Sequence, residues 1–315
     1  MLRLAKVLPV LLAAGLAAGQ EESAAVFRAD ARLVVLHATV VDRSGRLVTN
    51  LTRVAFRVYE DGVEQTMRVF RREDVPVSLG IIIDNSMSMR GKRGKVEAAA
   101  AGLVAASNPQ DEVFVINFND EAYRDADFTS DLQKLAKGLA RIDSRGGTAV
   151  RDALLAGIRY AKAKGRNDKK VLVVITDGED NMSGATLPEV VREAQQSEVL
   201  VYVIGLLSEE EHAAARRAER ELDEITRATG GQAWYPAEVG EAGRIALEVA
   251  HDIRNQYILA YTPSNPKLDG RFRQIRVTAE GGGRLTVRTR TGYWATPDLG
   301  TRPMAPPAPK PAVRR

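Results

Sequence analysis

Residues 77–89, VSLGIIIDNSMSM, decide how the chain is read: an uncharged run rich in β-branched residues ends at Asp84, and hydroxyls follow at Ser86 and Ser88. So short an apolar run reads as a strand buried on both faces, which calls for a parallel sheet covered by helices. The pattern returns in EVFVINFND (112–120), KKVLVVITD (169–177), LVYVIGLL (200–207) and the shorter QAWYPA (232–237). Helix-period segments separate these runs, and the alternation predicts a doubly wound, Rossmann-like α/β domain with a mostly parallel central sheet over 76–255. Its helices carry their own start signals. Thr186 with Glu189 and Ser208 with Glu211 have capping-box spacing, and Ser130 precedes a segment that places Leu132, Leu135 and Leu139 on one helical face. AYRDADFT (122–129) reads as a short edge strand.

On either side the pattern changes to β-strands. In 31–75 these are LVVLHATVVD, a turn at Arg43–Arg46, VAFRVYED, an Asp61-Gly62 turn and VEQTMRVFR. In 256–296 they are YILAYTP, RFRQIRVTAE, a turn at Gly281–Gly283 and RLTVRTRTGYW. Alternation and the Asp-Gly turn predict hairpins. A few strands cannot bury a face alone, so the two flanks are expected to pair into one smaller β-sandwich-like region. The arginines of the last segment, alternating with apolar residues, predict one exposed strand face. The tyrosines and the tryptophan there (Tyr257, Tyr261, Tyr293, Trp294) predict core packing.

Residues 1–19 pair a basic start (Arg3, Lys6) with the apolar run VLPVLLAAGLAAG, shorter than the about 18–20 residues of a membrane span, and read as a signal peptide. A linker (20–30) follows, and 297–315, with PPAPKP, reads as a disordered proline-rich tail. Export is therefore expected, to the periplasm or the medium, with no transmembrane segment after the signal is removed. The chain has no cysteine, so disulfides are excluded. The net charge of +4 contains +2 from the leader and +3 from the tail, which leaves −1 for 20–296. A near-neutral body excludes a nucleic-acid footprint.

Asp84, Ser86 and Ser88 offer only oxygens, the donors that hard cations such as Mg²⁺, Ca²⁺ or Mn²⁺ select over zinc or copper. Two further oxygens stand where the topology brings them close. Asp177 ends the strand expected beside that of Asp84, and Thr148 lies in a glycine-softened loop, SRGGTAV, opening a helix from about 149 to 164. In doubly wound sheets the crevice at the carboxyl ends of the strands is where ligands bind. Asn85, Asp120, Gly147, Asp152, Gly178 and Glu179 are candidates for the rim or the layer behind. Asp152 can equally meet the dipole of its own helix, the simpler account. The histidines His37, His212 and His251 show no metal-ligand spacing.

Together GIIIDNSMSM, GGTAVRDAL and VVITDGED resemble the von Willebrand factor type A family. The resemblance implies a complete metal-ion-dependent adhesion site: Ser86, Ser88 and Thr148 ligate a divalent cation, most simply Mg²⁺, while Asp84 and Asp177 bind it directly or through water. It implies further that a Glu or Asp of a partner protein takes the open position, ringed by the loops 89–94, 119–123, 143–147 and 179–184. The leader, VYEDGVEQ and the ending YILAYTP…RTRTGYW are similar to an exported bacterial subgroup termed VWFA-related. The leading expectation is a non-enzymatic adhesion or protein-binding module. A scaffold subunit with a structural metal is a second class. A metal-assisted hydrolase is a third, and the expectation that no histidine, lysine or cysteine sits near the motifs as a base or nucleophile weighs against it.

Overall fold

The computed structural model describes residues 33–72, 74–140, 144–178, 180–207 and 212–297. The expected signal peptide, the linker, nearly all of the tail, Glu179 and the Ser208–Glu211 box lie outside the described residues. The first flank holds β1 (Val34–Val41), β2 (Phe56–Glu60), β3 (Val63–Gln65) and β4 (Met67–Arg71). The middle runs β5 (Val77–Asp84), α1 (Arg93–Ala105), β6 (Glu112–Phe118), β7 (Ala122–Thr129), α2 (Leu132–Leu139), α3 (Val150–Lys164) and β8 (Lys169–Thr176). It continues with α4 (Leu187–Ser197), β9 (Val199–Gly205), α5 (His212–Thr229), β10 (Ala233–Trp234) and α6 (Ala242–Arg254). The second flank holds β11 (Tyr257–Tyr261), β12 (Phe272–Ala279), β13 (Thr286–Arg288) and β14 (Gly292–Trp294).

The central sheet has the order β10-β9-β8-β5-β6-β7. All its pairings are parallel except that of β7, the expected edge strand. β5, β6, β8 and β9 are buried at every position, as their continuous apolar runs require. Alternate residues serve opposite layers. Ile81 and Ile83 pack with Leu103 of α1, Leu135 of α2 and Val249 of α6, whereas Ile82 packs with Leu154 of α3, Val190 of α4 and Leu222 of α5. Gly80 is where those layers close in: a Cβ there would stand 2.3 Å from Phe114 Cζ and 2.5 Å from Leu172 Cδ2.

The Thr186–Glu189 capping box forms in full at the start of α4. At α2 the cap is Asp131, which accepts hydrogen bonds from the Gln133 and Lys134 amides. The helix is seated through Leu135 and Leu139, and Leu132, in its first turn, is 61% exposed rather than on the buried face.

The flanks pair as expected, into two four-stranded sheets, β13-β1-β11-β4 and β14-β12-β2-β3, each mixing strands from both sides of the α/β domain. Leu36, Phe56, Val58, Tyr257, Tyr261, Ile275 and Tyr293 form their common core. Of the expected hairpins, the one at Asp61-Gly62 forms. Both residues have positive φ (48° and 82°), the geometry that joins two strands most tightly, and β2 pairs with β3. The segment after Arg43–Arg46 and the triple-glycine turn instead carry the chain from one sheet to the other, because a two-sheet core needs crossings as well as hairpins. The arginines do not share one exposed face. Arg273 and Arg290 are 5% and 6% exposed. Burial is tolerated because Asp269 and the Lys267 carbonyl hold the first, and Glu198 and the Val35 carbonyl the second. Among the described residues no helix is long and apolar enough to cross a membrane.

Candidate metal centre

Asp84 closes β5, and Asp177 follows the last residue of β8, its parallel neighbour. Strand pairing alone therefore sets the two carboxylates at one sheet edge. The Asp84 side chain is fully buried. Its Oδ1 accepts from the Ser86 amide at 2.8 Å and its Oδ2 from Thr176 Oγ1 at 2.6 Å. Burial pushes the Asp84 carboxyl up to about 6, although both hydrogen bonds favour its ionised form.

After Asp84 the backbone stays extended through Ser86 (φ −65°, ψ 169°) and then makes a single 3-10 turn, Met87–Met89. That turn points Met89 into the core and leaves Met87 60% exposed. It also aligns the hydroxyls: Ser86 Oγ lies 3.0 Å from Ser88 Oγ, and Ser88 Oγ donates to Asp177 Oδ1 at 2.8 Å. The other oxygen of Asp177 accepts from Lys92 Nζ at 2.5 Å.

Thr148 arrives on a loop braced from several sides. Gly147 donates its amide to Asp120 Oδ1 at 2.6 Å, the Arg145 amide donates to the Asn85 carbonyl, and the Met87 amide to the Gly146 carbonyl. Gly146 adopts φ +71°, and a Cβ there would collide with the Asp120 carboxylate at 2.2 Å, so glycine is required on both counts. The Thr148 amide donates to Asn181 Oδ1 at 2.9 Å, and its carbonyl accepts from the Asn181 and Met182 amides. Thr148 Oγ1 would lie 3.4 Å from a Cβ on Gly178, beside the residue that follows Asp177.

All five candidate ligands thus come to the carboxyl edge of β5 and β8. Of the rim candidates, Asp120 braces the Thr148 loop, and Asn85, which is buried, ties β5 to β6 through its amide at 2.6 Å from the Phe118 carbonyl. Asp152 stands in the first turn of α3. Its carboxylate accepts the Gly184 and Ala185 amides at 2.9 and 2.8 Å and so anchors the loop after Asp177. Three residues passed over in the sequence prove structural to the site. Thr176 had a signal, a hydroxyl beside Asp177 at the end of the apolar run VLVVI. Asn181 had none. Lys92 stands eight positions after Asp84 in a basic loop, and only the 3-10 turn brings it back.

An octahedral site with metal–oxygen distances of about 2.0–2.1 Å has neighbouring oxygens about 2.9 Å apart. The Ser86–Ser88 and Ser88–Asp177 separations of 3.0 and 2.8 Å have that spacing, and the donors are all oxygens. Among the described residues no three His, Cys, Asp or Glu side chains cluster to hold a metal.

A family model, the von Willebrand factor type A domain, matches residues 79–238. An uncharacterized protein of Synechocystis sp., sll0103, is 33% identical over 110 residues, 34% of this chain and 26% of that protein. Calcium-activated chloride channel regulator 1 of Sus scrofa is 30% identical over 127 residues, 40% of this chain and 12% of the other. The matches thus span only 26% and 12% of these relatives' own lengths. Among solved structures, proximal thread matrix protein 1 of the mussel byssus, with a zinc-occupied MIDAS motif, aligns with a TM-score of 0.49 at 15% identity over 62% of this chain and 50% of that one. An aerotolerance-related membrane protein of Bacteroides fragilis aligns at 0.44 and 21% identity over 56% and 98%.

Proposed function

Because the chain belongs to the von Willebrand factor type A domain family, whose members commonly mediate protein–protein interaction and adhesion, we propose that it is an exported, non-enzymatic binding protein. In this reading Asp84, Ser86, Ser88, Thr148 and Asp177 hold a divalent cation, Mg²⁺ in the first place with Ca²⁺ or Mn²⁺ as alternatives, and a partner protein presents a Glu or Asp carboxylate to it.

The observation that carries the reading is the spacing of the Ser86, Ser88 and Asp177 oxygens, delivered by two separate segments to one sheet edge. Two carboxylates offset the charge of a divalent ion and three hydroxyls add none, so a bound ion would remain electrophilic toward an outside carboxylate. The chain's own part is positioning. Thr176 and the Ser86 amide aim the Asp84 carboxylate, Asp120 and Asn181 hold the Thr148 loop, and Asp152 anchors the loop after Asp177. Segments 84–92, 119–121, 144–149 and 177–184 contain no histidine or cysteine; against the expectation that lysine is absent too, Lys92 lies there, but it is held in an ion pair with Asp177, which supports binding over hydrolysis.

The test is capture of a partner from envelope extract in Mg²⁺, in EDTA, and with Asp84→Ala or Thr148→Ala. Capture that requires both the cation and the intact residues is the expected result. Capture indifferent to both would move the function to the β-sheets and leave the chain a scaffold.

A further inference from the structure

Lys92 occupies a place that the donor set does not call for. Its backbone is fixed by the 3-10 turn, where its amide donates to the Met89 carbonyl at 2.9 Å. From there the ammonium reaches Asp177 Oδ2 at 2.5 Å and the Leu206 carbonyl, beyond the end of β9, at 3.3 Å. The Asp177 side chain is fully buried, while that of Lys92 is 25% exposed. The two oxygens of Asp177 are thereby divided, Oδ1 to Ser88 and Oδ2 to Lys92.

We propose that Lys92 is a tethered competitor for the cation: its ammonium and a divalent ion exclude one another at Asp177, and Lys92 thereby sets how tightly the site takes up metal. The inference rests on the reading of Asp177 as a cation ligand. An ion on Oδ1 would face the ammonium across one carboxylate group, in a place with little water to screen the repulsion. Lysine suits an exchange of this kind. It is a compact, strongly hydrated charge on a flexible stem, and its partial exposure gives the ammonium a way out to water. Arginine would grip the carboxylate through a planar fork and be harder to displace. The opposite role is also physically definite. If Lys92 served only to turn Oδ1 toward Ser88, its loss would loosen the ligand and weaken metal binding.

The experiment is titration of the full chain with Mn²⁺ by calorimetry at one pH, for wild type, Lys92→Met, Lys92→Arg and Asp84→Ala, together with thermal unfolding in EDTA and in saturating Mn²⁺. Lys92→Met is expected to bind Mn²⁺ at least about tenfold more tightly than wild type, and to be stabilised more by the ion. Lys92→Arg, which keeps the charge and guards against a Met variant that does not fold, is expected to bind more weakly than wild type. Equal or weaker binding by Lys92→Met, or tighter binding by Lys92→Arg, overturns the inference while leaving the cation site standing. No binding by wild type or either Lys92 variant removes the site and the inference together.

Discussion

At the amino end of the central sheet, Asp111 accepts hydrogen bonds from the Val77 and Asn108 amides and pairs with Arg254. There too Glu112 holds Ser78 and Arg166, and Lys169 donates to the Ile253 carbonyl. At the carboxyl end Asp84 is held by an amide and a hydroxyl, and Asp177 by a hydroxyl and one ammonium. Both ends bury carboxylates at strand tips of one sheet, Asp111 and Glu112 at the start of β6 and Asp84 and Asp177 at the ends of β5 and β8. The amino-end carboxylates are matched to arginines, whereas at the carboxyl end Asp84 is held by neutral donors alone and Asp177 by a hydroxyl and a single, partly exposed lysine. In the proposed reading the amino end is completed by folding, and the carboxyl end keeps the capacity to exchange partners.

That contrast is sharpest in stability. Asp111→Ala removes one of the two carboxylate partners of Arg254 and the acceptor of two amides at once, and is expected to cost about 3 kcal/mol, measured by urea unfolding. An equal loss in Asp84→Asn would break the comparison. The pH dependence comes next. The folded Asp84 carboxyl keeps its proton up to about 6 against 3.8 for a carboxyl in water, so the folded state binds more protons between those values. Without divalent cation, stability therefore falls as pH rises from about 4 to about 6, by roughly 3 kcal/mol from this group. Asp84→Asn is expected to remove that part of the slope, seen as a wild-type-minus-variant difference in denaturation midpoints. A difference that is flat, or that rises with pH, contradicts it. The smallest effect is at the rim: Thr186→Ala opens the capping box of α4 and is expected to cost about 1 kcal/mol while leaving cation affinity unchanged.

How far these features could be read beforehand follows from how local they are. Strands buried on both faces announce themselves by composition, so β5, β6, β8 and β9 and the residues at their tips were legible. So were the Thr186 box and the Asp61-Gly62 turn, each specified within a few residues. Strand partners were legible only as a class. Nothing local in β1 says that it pairs with β11 and β13 rather than β2, since alternation fixes faces but not neighbours. The buried Arg273 and Arg290 were missed for a related reason: their counter-charges and carbonyls arrive from elsewhere in the fold. Lys92 reads as one more basic residue in a loop until a turn of backbone brings it to Asp177.

The junction of α6 with β11 bears on the order in which the molecule can be made. β1 finds both of its strand partners, β11 and β13, and β2 one of its two, β12, only after the whole α/β domain has been synthesised, and until then those edges stay open. Contacts this distant in sequence are slow to form from an unstructured chain. Docking α6 changes the problem, because Arg254 then lies against Asp74 and Asp111, and the chain's entry to the domain and its exit are clasped together. With the α/β domain folded, the search that joins the flanks shrinks from two hundred residues of loose chain, in round terms, to a short gap, and loop closure becomes correspondingly easier. The domain that carries the candidate site thus doubles as the template on which the flanking sheets assemble.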